Sequence, residues 1–253
     1  MRVVSHTCSN TEIVCALGCA SALVAVDADS DFPPDVVAPL PKLGRDLALD
    51  TAAVARLRPD LVLSSLTLPG HEAIVGELQQ RGLPTLVCDP TSLEDVYRDI
   101  LRIAAALSVF DRGRTLVEKM RAAMPPVPTT RRPPVLIEWW PKPVIAPARR
   151  SWASDVVRLA GGVNPFVDTD LKSVQVDADR ARQANIELIV LSWCGVKVEK
   201  YRADVVGRRD GWQEIPAVER GRIVPISETY LGRPGPRLVE GYRLLRESIA
   251  ALI

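Results

Sequence analysis

Hydrophobic and polar positions follow each other along this chain in an order that recurs almost unchanged in its two halves. The segments Leu47–Ser65 and Val174–Ser192 align without a gap. Each copy reads as a short alternating strand, an aspartate placed to cap a helix, a helical run and an apolar strand. The capping residues are Asp50 and Asp177. Two copies of one such unit predict two similar lobes that face a cleft.

Apolar strands alternate with short helical runs in both halves. Strands joined through helices require parallel pairing with crossover connections. The pattern therefore predicts an α/β fold made of two similar three-layer lobes with parallel-type sheets.

One longer helical pattern separates the halves. Apolar residues recur at helical spacing from residue 92 to residue 123, for example at Val96, Ile100 and Ile103. Residues 124–134 follow and contain five prolines, which excludes regular structure. We therefore predict an N-terminal lobe over residues 1–91, one long connecting helix over 92–123, a proline-rich connection over 124–134 and a C-terminal lobe over 135–253.

Composition and charge narrow the functional class. Of 253 residues, 47% are hydrophobic and 25% charged, the balance of a globular protein, and the net charge of +1 argues against a nucleic-acid partner. No apolar run is long enough for membrane insertion. Five scattered cysteines and the lack of a leader-like start predict a cytoplasmic protein, or a periplasmic or cell-surface one if a leader was removed. We expect a monomer.

Motifs for catalysis are missing from the sequence. It contains no glycine-rich nucleotide loop, no G-x-S-x-G elbow and no H-E-x-x-H pair. We therefore expect a non-enzymatic binding protein without a catalytic cofactor. A cysteine-dependent enzyme is the alternative, with Cys8 and His6 or Cys194 and His71 as partners.

Candidate ligand contacts follow from the rule that parallel α/β sheets bind ligands at the carboxyl ends of their strands. Residues at the predicted strand ends and in the loops that follow them form this set: Ser5, His6, Thr7, Phe32, Pro33, Arg45, Ser65, Leu66, Trp139, Trp140, Trp152, Trp193, Cys194, Thr229 and Tyr230. The tryptophans suit a large planar ligand in a mostly apolar site, and core packing is their alternative role.

Two of these residues suggest more specific chemistry. His6 is one of only two histidines, so its one metal role is as an axial ligand to a corrin or haem, and a hydrogen bond to backbone is the alternative. Arg45 is placed to pair with a carboxylate or phosphate, or else to lie solvated at the surface.

Five segments in order resemble the substrate-binding proteins of cobalamin and ferric-siderophore uptake. They are SNTEIVCALG (9–18), DFPP (31–34), RPDLVLSS (58–65), GWQEIPAVERGRIVPI (211–226) and RPGPRLVEGYRLL (233–245). The first two resemble the cobalamin-binding branch most. The resemblance covers essentially the whole chain and implies two α/β lobes joined by one long helix, with a ligand held between them.

This resemblance implies a cobalamin-like corrinoid as the bound ligand, with haem or a ferric siderophore as the alternative. It also implies docking on an ABC permease through one acidic residue per lobe. Glu72 lies where the first acid is expected, whereas the matching place in the second half, Leu231-Gly232-Arg233, has none. That departure, with the start of the chain, favours a corrinoid-handling protein in the cytoplasm.

Overall fold

The computed structural model describes residues 1–252, which divide into two compact units. The first unit comprises Met1–Pro90 and Asp95–Lys119, and the second comprises Thr91–Glu94 and the described chain from Met120 onward. Among residues 1–252, no helix is both long and apolar enough to span a bilayer.

A four-stranded parallel sheet forms the centre of the first unit, in the order β2-β1-β3-β4. Its strands are β1 (Val3–Ser5), β2 (Leu23–Val26), β3 (Leu61–Ser65) and β4 (Thr85–Cys88). The helices of this half are α1 (Cys8–Ala16), α2 (Pro34–Val37), α3 (Thr51–Arg56), α4 (His71–Gln80), α5 (Leu93–Ala106) and α6 (Phe110–Ala123). Val4 and Val62 are fully buried on neighbouring strands and pack with Val54 and Leu78, so the apolar strand pattern becomes the core of this unit.

The predicted single helix over 92–123 is wrong, because the chain turns between α5 and α6. Ser108 adopts a left-handed conformation with φ of 60°. The Val109 amide donates to the Ala104 carbonyl at 2.8 Å and the Ser108 amide donates to Ala105 at 3.0 Å, which is the Schellman arrangement that ends a helix. Glycine usually occupies this position, and its replacement by serine hid the break from the sequence pattern.

The two helices form a closely packed hairpin. A β-carbon placed on Gly113 of α6 would lie 2.5 Å from the Ala104 Cβ of α5, so only glycine permits this approach. At the open end of the hairpin, the Arg121 guanidinium contacts the Glu94 carboxylate at 2.6 Å.

The second unit contains two three-stranded sheets. One is parallel, in the order β10-β9-β5, and the other is antiparallel, in the order β6-β7-β8. The strands are β5 (Val135–Glu138), β6 (Trp140–Pro141), β7 (Val144–Pro147), β8 (Ser173–Gln175), β9 (Leu188–Leu191) and β10 (Ile223–Pro225). The helices are α7 (Trp152–Leu159), α8 (Ala178–Gln183), α9 (Ala203–Gly207), α10 (Pro216–Glu219), α11 (Glu228–Leu231) and α12 (Leu238–Ala250). The two-lobed α/β fold with parallel sheets is therefore confirmed, and the antiparallel sheet adds to it.

The repeated segments fold alike in detail. Asp50 accepts a hydrogen bond from the Ala53 amide at the start of α3, and Asp177 accepts one from the Arg180 amide at the start of α8, both at 2.8 Å. The helices end at equivalent left-handed residues, Arg58 with φ of 48° and Asn185 with φ of 49°. One detail is wrong: the strand expected at the start of the first copy is a 3₁₀ turn at Asp46–Ala48, whereas its counterpart is β8.

Candidate functional site

Hydroxyl side chains at the carboxyl edge of the first sheet bind each other. The Thr11 hydroxyl donates to Ser5 Oγ at 2.9 Å, and the Thr7 and Ser65 hydroxyls lie 3.0 Å apart. Ser5, Thr7 and Ser65 are all buried. The structure thus places these three predicted residues inside the unit, where their hydroxyls join β1, β3 and α1 to one another.

His6 lies inside the same polar layer and is completely buried. Its Nε2 is 2.7 Å from the Asp46 carbonyl oxygen and its Nδ1 is 2.8 Å from Ser64 Oγ. A carbonyl only accepts, so Nε2 carries the proton and Nδ1 accepts from the serine. Burial is the main reason that the pKa of His6 is lowered to about 4. Both ring nitrogens are thus hydrogen-bonded inside the protein, and the suggested role of His6 as an axial metal ligand stays a prediction.

The second histidine of the chain is buried beside the first. The Leu68 amide donates to His71 Nδ1 at 3.3 Å, and His71 Nε2 lies 3.8 Å from the Asp46 carboxylate. This imidazole is the main reason that the pKa of Asp46 is lowered. The imidazole nitrogens of His6 and His71 thus face Ser64, Leu68 and Asp46.

The Cys8 thiol, suggested as one member of a cysteine–histidine pair, donates to the Asp29 carbonyl at 3.0 Å. Residues 1–252 contain no group of three or more histidine, cysteine, aspartate or glutamate side chains placed to hold a metal ion.

The turn Arg45–Ala48 is anchored by Asp29. The Asp46 amide donates to Asp29 Oδ2 at 3.1 Å, and the Arg45 guanidinium forms an ion pair with the same carboxylate at 3.0 Å. Asp29 is held in turn, since its amide donates to the buried Asp27 carboxylate at 2.9 Å. Burial raises the pKa of Asp27. Arg45 is mostly solvent-exposed, so one face of its guanidinium remains accessible.

Three large apolar side chains lie exposed in the loops beyond these strands. The exposed fractions are 40% for Phe32, 52% for Leu47 and 37% for Leu68. Pro33 and Leu66 are partly buried beside them in sequence. Phe32 was predicted from the sequence, whereas Leu47 and Leu68 were missed. Leu47 lies in the alternating run of residues 47–50, which the sequence pattern assigns to a short strand, and Leu68 lies in a Leu-Pro-Gly loop.

The carboxyl edge of the second unit presents one exposed tryptophan. Trp140 is 46% exposed, and its indole N–H donates to the Lys142 carbonyl at 3.1 Å. Trp139 is partly buried and packs on Trp152 with ring centroids 6.0 Å apart. Trp139 and Trp140 are therefore placed as predicted for contacts at this edge.

The other two predicted tryptophans, Trp152 and Trp193, lie in the core of the second unit. The buried Trp152 indole donates to the Leu231 carbonyl at 2.9 Å. The buried Trp193 indole donates to Glu138 Oε1 at 2.7 Å. Each indole nitrogen is satisfied inside the protein, as buried tryptophans require.

Glu138 forms a buried ion pair that the sequence did not reveal. Its two carboxylate oxygens each accept from Arg209 at 2.6 Å, and the carboxylate is fully buried. Arg209 also lies over the Trp212 ring at 4.9 Å. This arrangement joins the end of β5 to the segment after α9.

Three predicted residues lie partly exposed beyond β9 and β10, namely Cys194, Thr229 and Tyr230. The Arg237 guanidinium lies 4.8 Å from the Tyr230 ring centroid and donates to Thr229 Oγ1 at 3.4 Å. A cation and an aromatic ring are thus held together near the end of β10.

The sequence of this chain matches a known protein family. The family model described as periplasmic binding protein matches residues 3–230. The chain belongs to this family. A substrate-binding lipoprotein of an ABC transporter in Bacillus subtilis strain 168, YvrC, described as uncharacterized, is 29% identical over 98% of this chain and 79% of its own length.

Other proteins similar to this chain are named after the ligand that they bind. The vitamin B12-binding protein of Vibrio parahaemolyticus is 26% identical over 93% of this chain and 84% of its own length. The apo structure of the periplasmic heme-binding protein RhuT from Roseiflexus sp. RS-1 superimposes with a TM-score of 0.82 at 23% identity, over 99% of this chain and 98% of that one. The resemblance inferred from the sequence is therefore confirmed.

The family assignment also bears on location. The cytoplasmic expectation is not supported, because the matching family consists of periplasmic binding proteins and the Bacillus relative is a lipoprotein. The predicted docking residue, Glu72, lies exposed in the first turn of α4, where its carboxylate accepts from the Gly70 amide at 2.9 Å.

Proposed function

We propose that this protein binds a cobalamin-like corrinoid without transforming it. The observation that carries the proposal is the set of exposed apolar side chains at the carboxyl edges of the sheets, where α/β folds bind ligands. Phe32, Leu47 and Leu68 lie at this edge in the first unit and Trp140 lies at it in the second. Exposed apolar groups gathered beside polar loops are typical of sites for large, partly apolar ligands.

The buried histidines agree with a corrinoid as the ligand. His6 is hydrogen-bonded through each nitrogen and His71 is bound to the Leu68 amide. A corrinoid arrives with its own axial ligands and therefore needs neither imidazole. The vitamin B12-binding relative supports the same choice. Haem and ferric siderophores are the alternatives that the test must separate.

We further propose that the protein works outside the cytoplasm, in the periplasm or at the cell surface, and delivers its ligand to an ABC permease. Glu72 is the proposed docking residue of the first unit, since its position on α4 matches the acid of the family. Replacing it with glutamine is expected to slow uptake by cells while ligand affinity stays unchanged. An equal uptake rate with the variant would contradict the docking role.

Thermal unfolding with a panel of ligands tests the proposed function. A ligand that binds only the folded state raises the unfolding temperature, because it stabilises that state by an amount that grows with the logarithm of ligand concentration above the Kd. We expect cyanocobalamin to stabilise the protein, and haemin and ferric desferrioxamine to have little effect. Stabilisation by haemin with a shifted Soret band, or by the ferric chelate alone, would replace the corrinoid with that ligand.

A further inference from the structure

We propose that the turn Asp46–Ala48 is a ligand-contact element that presents Leu47, and that His6 is the residue that positions it. This inference rests on the proposed function and adds a ligand contact and a positioning residue to it. Leu47 is the most exposed of the three apolar side chains at the carboxyl edge of the first sheet. An exposed leucine serves as a reproducible contact only when its backbone is held in place.

His6 reaches this turn from the centre of the fold. Its Nε2–H donates to the Asp46 carbonyl at 2.7 Å, and that carbonyl belongs to the peptide group immediately before Leu47. The Ser64 hydroxyl, on β3, fixes the orientation and the tautomer of the ring by binding Nδ1 at 2.8 Å. The position of Leu47 is thereby fixed relative to two adjacent strands, because His6 directly follows β1 and Ser64 lies on β3.

Other contacts also hold the turn, and the Leu47 side chain extends toward Gly70. The Ala48 amide donates to the Arg45 carbonyl at 2.9 Å, and the Asp50 amide donates to the Leu43 carbonyl at 2.8 Å. Gly44, with φ of 92°, lies so close to the Ala48 carbonyl that no side chain fits there. Every backbone anchor is therefore internal, and the Leu47 side chain projects from a rigid turn.

Two substitutions of His6 separate positioning from simple loss of packing. Glutamine carries an amide nitrogen with about the reach of Nε2, so His6→Gln keeps a donor for the Asp46 carbonyl. Asparagine is shorter, and its amide reaches only the place of Nδ1, so His6→Asn keeps a partner for Ser64 and loses the bond to Asp46. Both variants lose the imidazole ring, so a difference between them reports the bond to the Asp46 carbonyl and not the loss of side-chain volume.

Affinity for cyanocobalamin, measured by calorimetry, is the first readout. We expect Leu47→Ala to weaken binding about five- to tenfold, since part of a leucine side chain leaves the contact. His6→Asn is expected to weaken binding to a similar extent, and His6→Gln to stay within about twofold of wild type. Equal losses in the two His6 variants, or an unchanged Leu47→Ala, would overturn the proposal.

Amide hydrogen exchange of residues 44–50 in the ligand-free protein is the second readout. Exchange is expected to accelerate at least tenfold in His6→Asn and to remain near the wild-type rate in His6→Gln. Equal exchange in both variants would overturn the positioning role of His6, whatever the ligand. If wild type binds cyanocobalamin, haemin and ferric desferrioxamine all undetectably, the proposed function fails and the contact role of Leu47 fails with it.

Discussion

His6 and His71 lie edge to face, with ring centroids 5.2 Å apart and ring planes at 72°. Both imidazoles are completely buried, and they are the only histidines in the chain. Burial is the main cause that lowers the pKa of His6 from 6.5 to about 4, and the neighbouring His71 imidazole lowers it further.

Acid is therefore expected to destabilise the protein through His6. In the unfolded chain His6 gains a proton below pH 6.5, whereas in the folded protein it gains one only near pH 4. The free energy of unfolding should fall across this interval by about 3 kcal/mol from this residue alone. Urea unfolding between pH 7 and pH 4 measures it.

The control for this prediction is His6→Gln, which cannot titrate. Carboxylate effects are common to both proteins, so the difference between the two pH profiles isolates His6. Parallel profiles would show that His6 does not resist protonation in the folded state.

Two exposed phenylalanines, Phe32 and Phe110, provide a test of ligand contact and its matched control. Phe32 lies in the loop after β2 and is 40% exposed, whereas Phe110 begins α6 and is 48% exposed. We expect Phe32→Ala to weaken cyanocobalamin binding about tenfold and Phe110→Ala to leave it unchanged, because only the first lies at the carboxyl edge. Calorimetric titration of both variants checks this, and equal affinities would remove Phe32 from the site.

Much of this fold was predictable because its determinants are local. The caps at Asp50 and Asp177 and the apolar strands are read from neighbouring residues, so the repeat and the α/β class followed from the sequence. The break at Ser108 did not follow, because serine rarely takes the left-handed conformation that ends α5.

The candidate site was harder to predict because its contacts are distant in sequence. His6 is buried under Asp46, and Trp193 is buried on Glu138. A polar or aromatic residue at a strand end is equally compatible with an open site and with such a buried bond. The exposure of Leu47 likewise depends on the turn that Gly44 closes. The alternating sequence pattern predicted a strand in place of this turn.

The Glu138–Arg209 pair should be among the most sensitive polar contacts in the second unit. Arg209→Met leaves a fully buried carboxylate that has lost its cation and still accepts from the Trp193 indole, which typically costs about 3–5 kcal/mol. Arg243→Met removes an exposed arginine that pairs with Glu240 and Glu247, and should cost far less, because solvent screens exposed ion pairs. Urea unfolding compares the two variants, and equal costs would contradict the buried character of the first pair.

Close packing of α5 on α6 predicts opposite effects at two helical glycines. A β-carbon at Gly113 meets Ala104, so Gly113→Ala should destabilise the protein by about 1–3 kcal/mol. Gly76 in α4 has open space at its β-carbon, so Gly76→Ala should stabilise it by up to about 1 kcal/mol. Stabilisation by both substitutions would mean that the α5–α6 hairpin is looser than the structure shows.

Calorimetric titration of the purified protein with cyanocobalamin tests corrinoid binding most directly. Saturable binding is expected, accompanied by a negative change in heat capacity because apolar side chains such as Phe32 and Leu47 become buried. Absence of binding heat at several temperatures, with haemin or a ferric siderophore binding instead, would contradict the account.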